Sequence, residues 1–213
     1  MEKQLILGSK SARRRELLAM TGIPFEIMVS DEPEDESPLD LSGAAIAGRF
    51  DDEYGVVPKV ANIAVRKALA IKKRCADEGL SGRVILGADT VVALRDELIG
   101  KPVDLDDAKN IISRLSGNVH QVVTVYVICE TDSERLFIRP TISDVYFRPL
   151  AQWEIDEYVN NCEVLDKAGA YGIQENAALF VERIDGDFYN IVGLPVVNLR
   201  GDLGAFGIGR RNQ

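Results

Sequence analysis

The chain has 213 residues and a formal net charge of −9, with 46% hydrophobic and 28% charged residues, as expected of a globular protein that buries a core. The acidic balance argues against nonspecific binding of nucleic acid over a broad surface, although it is compatible with a local cationic pocket. No apolar run approaches the roughly 20 residues of a membrane-spanning helix, and the N-terminus lacks a secretory pattern, so we expect a cytoplasmic protein without a membrane partner.

Strand and helix patterns alternate through the first third of the chain. Residues 4–8 predict a short buried strand, and residues 11–20 predict a helix that Gly22 caps at its C-terminal end. Residues 25–29 alternate apolar and polar side chains, as a strand does. Residues 32–59 are acidic and rich in Pro and Gly, which predicts a surface excursion or a lid.

The alternation continues to the C-terminus. A long helix, with apolar positions at helical spacing between residues 60 and 75, ends near Gly79 and Gly82. The later elements are a strand over 84–94, a helix capped by Asp106 or Asp107, strands over 121–129 and 136–147, a helix over 151–161, a strand over 179–184 and a helix after Pro195. This order predicts a mixed α/β fold with a long twisted sheet, helices on both sides and a cleft between two lobes.

Asp89 has the sequence surroundings that point most clearly to chemistry. It interrupts a run of apolar residues, where a carboxylate is costly unless it is paired, hydrogen-bonded or bound to a metal. Gly87 and Ala88 precede it and let backbone or ligand approach closely. These features favour a metal ligand or a general base, and a capping or turn carboxylate is the alternative.

The turn at residues 8–15 concentrates small, hydroxyl and basic side chains in an acidic protein. Serine hydroxyls, backbone amides and a helix N-terminus form an arrangement suited to anions, and Arg13 can make bidentate contacts with phosphate. A solvated basic surface is the alternative. The motifs GxxxxGK[ST] and GxGxxG are absent from the sequence. Carboxylate plus cations is chemistry that suits a metal and a polyphosphate.

Other candidates carry weaker signals. Lys67 and Lys101 are by themselves typical of solvated lysines, and His120, the only histidine, has no marked serine partner, so a structural role is favoured. Residues 166–174 interleave small residues with polar ones, which indicates close backbone approach or a tightly packed bulged strand. Residues 185–187 (Asp-Gly-Asp) predict a hairpin turn. The three cysteines have no CxxC spacing and are expected to be buried thiols.

Six segments occur in a fixed order: LGSKSARRRELL at 7–18, GADTVV at 87–92, GKPVD at 100–104, LSG at 115–117 followed by His120, DKAGAYGIQ at 166–174 and NIVGLP at 190–195. Together they resemble the Maf (septum-formation) family of nucleoside triphosphate pyrophosphatases over nearly the whole chain. The resemblance implies an elongated mixed α/β fold, with two lobes around a nucleotide cleft, related to the inosine-triphosphatase superfamily. It also implies a single domain over residues 1–213, with an insertion at about 33–59.

The resemblance further implies hydrolysis of a nucleoside triphosphate to monophosphate and pyrophosphate with a divalent metal, expected to be Mg²⁺. Asp89 would be the proton acceptor that activates water, and Asp89 and Glu32 would lie at the metal. The residues implied to hold phosphates are Ser9, Arg13, Arg14, Lys67 and Lys101, and those implied in base selection are Arg13, Thr90 and Gln174. A homodimer is compatible with the resemblance.

The segment at 166–174 is typical of the branch that acts on dTTP and UTP, whereas the 7-methyl-GTP branch carries a Cys-Ala-Gly-Ser-type segment there. We therefore expect pyrimidine triphosphates as substrates, including modified ones, and a role in clearing noncanonical nucleotides. A 7-methyl-GTP-type pyrophosphatase is an alternative.

This sequence also departs from the family pattern. Ala12 replaces a usual proline, Lys10 adds a cation, and residues 175–177 (Glu-Asn-Ala) stand where Gly-x-Gly is common, so that a left-handed backbone there would fall to Asn176. These departures keep open a nucleotide-binding regulator of cell division that lacks turnover. A nucleic-acid contact through residues 10–15 is a further alternative, which predicts salt-sensitive binding.

Overall fold

The computed structural model describes residues 3–29, 35–48, 50, 52 and 55–209. Within them, eight strands form one sheet: β1 (Gln4–Gly8), β2 (Phe25–Ile27), β3 (Ala45–Ile46), β4 (Arg83–Leu94), β5 (Glu97–Ile99), β6 (Val119–Glu130), β7 (Leu136–Phe147) and β8 (Val181–Asp185). The α-helices of this part of the chain are α1 (Ala12–Ala19), α2 (Val56–Asp77), α3 (Leu105–Leu115), α4 (Gln152–Asn161), α5 (Phe188–Val192) and α6 (Val196–Ala205). Two 3₁₀ turns span Ala168–Ala170 and Asn176–Phe180.

The sheet is mixed, as predicted for an α/β fold. The strand order is β2-β1-β4-β6-β7-β3, with β5 paired to β4 and β8 paired to β7. β1 runs parallel to β2 and β4, and β3 runs parallel to β7, whereas β5 and β8 are antiparallel to their partners. None of the described helices is long and apolar enough to cross a membrane.

The chain divides into two compact units. Unit 1 comprises residues 1–89, 124–141 and 193–213, and unit 2 comprises residues 90–123 and 142–192. β4, β6 and β7 each begin in one unit and end in the other.

In unit 1, helix α2 packs closely on β4 because the residues at the contact are small. A Cβ atom added to Gly87 would lie 2.9 Å from Ala68 Cβ and 3.0 Å from the Ala64 carbonyl oxygen, so no larger residue fits at this position of β4. The helix begins where the Asp52 carboxylate accepts hydrogen bonds from the backbone N–H groups of Val56 and Val57, at 2.9 and 2.7 Å. The close contact between α2 and Gly87 determines which residues of β4 the polar side chains of α2 can reach.

In unit 2, the pairing of α3 with α4 includes an ion pair between Lys109 Nζ and Asp156 Oδ1 at 3.2 Å. His120, Phe147 and Tyr171 form a buried cluster of edge-to-face rings, with centroids 4.9 to 5.4 Å apart. All three side chains are buried, and they form an aromatic part of the core of this unit.

Several sequence predictions need correction. The cap of α3 is Asp104, whose Oδ1 accepts from Asp107 N at 2.8 Å, and not Asp106 or Asp107, because Asp104 has the extended backbone that a cap requires. The hairpin turn predicted at residues 185–187 is wrong, since Asp187 starts α5 by accepting from Tyr189 N at 2.7 Å.

Other differences concern boundaries and short elements. The strand predicted over 179–184 begins only at Val181, because a 3₁₀ turn occupies the preceding residues. The short elements β3, β5 and α5 carry too few residues for a periodic pattern, and the sequence did not indicate them.

Candidate functional site

The loop between β1 and α1 is held by its own hydroxyl groups. Ser11 caps α1 by accepting a hydrogen bond from Arg14 N at 3.3 Å, and Ser9 Oγ accepts one from Ser11 N at 3.2 Å. The first turn of α1 contains no acidic side chain. The positive end of the helix dipole and the arginines of this turn therefore make the loop electropositive, as an anion site requires.

Arg14 connects this loop to the strand that carries Asp89. Its Nε donates to the Gly193 carbonyl oxygen at 2.9 Å, and its Nη1 donates to the Ala88 carbonyl oxygen at 2.9 Å and approaches Ser9 Oγ at 3.4 Å. A planar guanidinium can serve several acceptors in fixed directions. Arg14 therefore holds the backbone of the residue before Asp89 as well as the loop itself.

Asp89 lies in the middle of β4, and its side chain is 9% exposed. Lys67 Nζ donates to Asp89 Oδ1 at 2.6 Å, a short charge-assisted contact. Lys67 lies between Ala64 and Ala68, the small residues through which α2 packs on Gly87, so the close helix–strand packing brings its ammonium group to the carboxylate. Within the described part of the chain, Lys67 is the hydrogen-bond donor that reaches this carboxylate, and it reaches Oδ1 alone.

The structure thus brings four of the predicted site residues together in unit 1: Ser9, Arg14, Lys67 and Asp89. Arg13 lies on the first turn of α1 and is partly exposed. The remaining predicted residues that the structure describes lie in unit 2, where Thr90 is partly exposed and Lys101 and Gln174 are exposed. Glu32 lies outside the described residues.

The donors around Asp89 fit a metal ion only in part. No group of three or more His, Cys, Asp or Glu side chains that could hold a metal occurs among the described residues. Mg²⁺, however, is usually bound through one or two carboxylates together with substrate phosphates and water. The second oxygen of Asp89 receives no hydrogen bond from the described residues and fits this mode of binding.

Residues 166–174 show the close backbone approach that the sequence indicated, and the approaching group is the protein itself. Gly169 N donates to the Gly100 carbonyl oxygen at 3.0 Å, which ties this segment to the residue before Lys101. Gly169 has a φ of +72°, and a Cβ atom there would lie 2.8 Å from Val92 Cγ2. Glycine is therefore required at this position by both backbone conformation and space.

The departure from Gly-x-Gly at residues 175–177 creates no left-handed backbone. Glu175 has a φ of −111°, and Asn176 begins a 3₁₀ turn. The left-handed residues of the segment are instead Gly169 and Ala170, with φ values of 72° and 60°. The chain therefore turns without a glycine at these three positions.

Sequence reasoning missed two kinds of functional contact. The carbonyl groups of Ala88 and Gly193 hold Arg14, but every residue type supplies a carbonyl, and only the NIVGLP segment around Gly193 marked the region. Lys167 is almost fully buried, which its polar surroundings in the sequence did not suggest.

His120 has the structural role that the sequence favoured. Its Nε2 and the Tyr171 hydroxyl are 2.8 Å apart within the buried ring cluster, and burial lowers the pKa of His120 to about 4.

Comparison with known proteins identifies the family of this chain. The model of the Maf-like protein family matches residues 4–206, and the chain belongs to this family. Curated relatives named dTTP/UTP pyrophosphatase include a protein of Aromatoleum aromaticum, 40% identical over 97% of both chains, and one of Bacillus cereus, 39% identical over 97% of both chains. A third, from Alkaliphilus oremlandii, is 38% identical over 92% of this chain and 93% of its own.

Among solved structures, the chain is similar to a nucleoside-triphosphatase / dITP/XTP pyrophosphatase from Mycobacterium abscessus. The TM-score is 0.35 and the identity 12%, over 69% of this chain and 75% of that chain. A similarity of this size supports no conclusion about function.

Proposed function

We propose that this protein is a nucleoside triphosphate pyrophosphatase that hydrolyses dTTP and UTP to the monophosphate and pyrophosphate. The observation that carries the proposal is the buried Asp89 carboxylate, paired with Lys67 and connected through Arg14 to an electropositive loop. The three relatives named above, which align over at least 92% of this chain, support the choice of substrates.

In the proposed reaction, Asp89 accepts a proton from a water molecule whose oxygen attacks the α-phosphorus. A new P–O bond forms as the α,β-anhydride bond breaks, and pyrophosphate leaves with the bonding electrons. A divalent metal, expected to be Mg²⁺ and held by Asp89 and Glu32, would neutralise charge on the phosphates. The burial of Asp89 keeps competing water away from the carboxylate and strengthens its electrostatic interactions.

Lys67 has two tasks in this proposal. Without substrate, its ammonium group compensates the buried carboxylate, which would otherwise be an unpaired charge in a low dielectric. With a triphosphate bound, the same group compensates a phosphate and leaves Asp89 with a free lone pair for the proton. The 18% exposure of the Lys67 side chain gives the ammonium a side from which a phosphate can approach.

The other residues divide between holding phosphates and selecting the base. The β1–α1 loop, through Ser9, Arg13 and the N-terminal amides of α1, would bind phosphate oxygens, while Arg14 keeps that loop in place beside Asp89. Lys101 would contribute a further cation to the phosphates. Base selection would fall to Arg13, Thr90 and Gln174, the last two of which have solvent-accessible side chains in unit 2.

The test is pyrophosphate release from equal concentrations of dTTP, UTP, CTP, GTP and 7-methyl-GTP, each with Mg²⁺ and with EDTA. We expect release from dTTP and UTP in the presence of Mg²⁺ and its loss in EDTA. Preferential release from 7-methyl-GTP would replace the proposed substrate class. Tight binding of nucleotides without release from any of them would instead identify a nucleotide-binding regulator.

We further propose a cytoplasmic enzyme that acts as a homodimer and has no nucleic-acid partner. The formal net charge of −9 supports the last point, because nucleic-acid binding would require the cations of the β1–α1 loop to overcome a broad negative field. Sedimentation velocity checks the assembly, and DNA and RNA titrations at low salt check the absence of nucleic-acid binding.

A further inference from the structure

A buried lysine in unit 2 lies outside the proposed chemistry. The Lys167 side chain is 4% exposed, and its Nζ donates to the Glu163 carbonyl oxygen and to Asp166 Oδ1, the latter at 3.0 Å. A third acceptor, Glu175 Oε1, lies 3.4 Å away. The ammonium group therefore makes two hydrogen bonds and one further ion pair, so that its charge is compensated by carboxylates although its side chain is buried.

The chain between Lys167 and Glu175 makes a tight turn over this ion pair. Glu175 N donates to the Gly172 carbonyl oxygen at 3.0 Å, which closes a four-residue turn with Ile173 and Gln174 at its two central positions. A Cβ atom on Gly172 would lie 3.0 Å from Lys167 Cε and 3.0 Å from Glu175 Cδ. Both ends of the turn therefore rest on the same buried ammonium side chain.

The two central residues of the turn face opposite environments. Ile173 is buried in the core of unit 2, whereas Gln174 is exposed. The buried Ile173 thus attaches the turn to the core, while Gln174 is accessible from solvent. The Lys167–Glu175 ion pair holds the last residue of the turn. An amide side chain can read the hydrogen-bonding edge of a base only if its backbone is held in one position.

We propose that Glu175, through its ion pair with Lys167, is a positioning residue that fixes Gln174 for recognition of the nucleotide base. The inference rests on the proposed function and adds a determinant of substrate selectivity to it. Glu175 contacts no reacting group in this scheme. Removal of the Glu175 carboxylate should therefore weaken nucleotide binding and lower the selectivity for the base without slowing the chemical step.

The test compares Glu175→Gln with the wild type in steady-state kinetics on dTTP, UTP and dGTP. The substitution keeps the size of the side chain and removes its charge. We expect KM for dTTP and UTP to rise by about tenfold while kcat stays within about twofold, because an interaction that only orients bound substrate affects binding. The preference for dTTP over dGTP in kcat/KM should fall. Glu175→Asp, which keeps the charge, should recover part of the loss.

The matched control is Glu182→Gln, the same change at an exposed position of β8 in the same unit. It should leave KM and kcat unchanged. A second readout is hydrogen exchange of the Glu175 amide, which should quicken in Glu175→Gln as the turn loosens. Unchanged KM values in Glu175→Gln would overturn the inference, as would a lower kcat at constant KM, which indicates a merely structural residue.

Failure of the proposed function has a different outcome. In that case the wild type itself would release no pyrophosphate from any nucleotide, and the inference would be rejected with it. A wild type active on dTTP, together with a Glu175→Gln variant of unchanged selectivity, rejects the inference alone.

Discussion

Two lysine–carboxylate pairs, one in each unit, differ in which partner is buried. In the Lys67–Asp89 pair the carboxylate is 9% exposed and the lysine 18%, and the two atoms are 2.6 Å apart. In the Lys167–Glu175 pair the lysine is 4% exposed and the carboxylate 42%, with a separation of 3.4 Å. Among the described residues, the carboxylate of the first pair accepts a hydrogen bond from one donor, whereas the ammonium group of the second donates two hydrogen bonds and is also paired with Glu175 Oε1.

This difference is the reason for assigning the first pair to the proposed chemistry and the second to a positioning role. A buried carboxylate with one protein donor has remaining capacity for a proton, a metal ion or a water molecule. A buried ammonium group that is surrounded by a carbonyl oxygen and two carboxylates already has its charge compensated by the protein, and it holds the chain around it. Burial of charge is thus a weaker indication of function than incomplete satisfaction of the buried group.

Replacement of the buried acceptor of the first pair should have the largest effect. Asp89→Asn keeps the shape of the side chain but removes the carboxylate that we propose as the proton acceptor, so kcat for dTTP should fall roughly 100- to 10,000-fold. Binding of dTTP, measured by calorimetry, should persist. The control is Asp144→Asn, the same change at a partly exposed position of β7. Full turnover by Asp89→Asn would show that another group is the base.

Replacement of the donor of this pair tests whether Lys67 serves both stability and binding. Lys67→Met leaves the Asp89 carboxylate buried without its partner, which should lower the free energy of unfolding by about 3 kcal/mol. It should also raise KM for dTTP. Urea denaturation measures the first effect and pyrophosphate release the second.

The double variant Lys67→Met, Asp89→Asn separates the two roles of Lys67. It has no unpaired buried charge, so it should regain most of the lost stability while its activity stays absent. A double variant as unstable as Lys67→Met would show that packing of the lysine stem, and not its charge, stabilises unit 1.

Sequence alone was sufficient for the residues whose signal is local. The apolar run around Asp89 predicted both a buried strand and an unusual carboxylate, and the small, basic segment after β1 predicted the electropositive loop. Lys67 had no such signal, because its role depends on the packing of α2 against Gly87, which lies 20 positions further along the chain (87 − 67). Without the family resemblance, the residues around Lys67 favoured a solvated lysine at this position.

Sequence was insufficient where several equivalent groups compete or where the backbone acts. Residues 104, 106 and 107 are all Asp at the start of α3, and only the extended backbone of Asp104 selects it as the cap. The acceptors of Arg14 are main-chain carbonyls, which no residue pattern encodes. Lys167 and Glu175 come together through a turn whose closure depends on Gly172, and pattern reasoning did not foresee it.

His120 is a buried titratable group that is uncharged in the folded state, in contrast to the two charged pairs. Burial lowers its pKa from 6.5 to about 4, so in the folded state it stays uncharged while the unfolded chain takes up a proton below pH 6.5. Stability should therefore decrease as pH falls from 6.5 to 4, by about 3 kcal/mol from this residue. Urea denaturation at intervals of about one pH unit, from about pH 4.5 to about pH 7.5, measures this decrease in stability.

The variant His120→Gln isolates this contribution, since carboxyl groups elsewhere titrate in the same range. Glutamine can keep a hydrogen bond to the Tyr171 hydroxyl but has no proton to gain. The stability of the variant should depend less on pH than that of the wild type. Equal slopes for the two proteins would show that His120 is solvated enough to titrate normally in the folded state.

The smallest expected effect concerns the cap of α1, which lies in the same unit as the first pair. Ser11→Ala removes the acceptor for Arg14 N and should lower the free energy of unfolding by about 1 kcal/mol, measured by urea denaturation. Ser113→Ala, at an exposed position within α3, is the control and should not destabilise the protein.

Ser11→Asp then separates capping from anion binding, because the two functions respond to charge in opposite ways. A carboxylate caps a helix as well as a hydroxyl does and interacts favourably with the helix dipole, so this variant should be at least as stable as the wild type. The same carboxylate would repel a triphosphate bound at the β1–α1 loop, and KM for dTTP should therefore rise. A stable Ser11→Asp variant with unchanged KM would place the phosphates away from this helix terminus, and the phosphate contacts proposed for Ser9 and Arg13 would then be rejected while the Lys67–Asp89 pair remains assigned to the substrate.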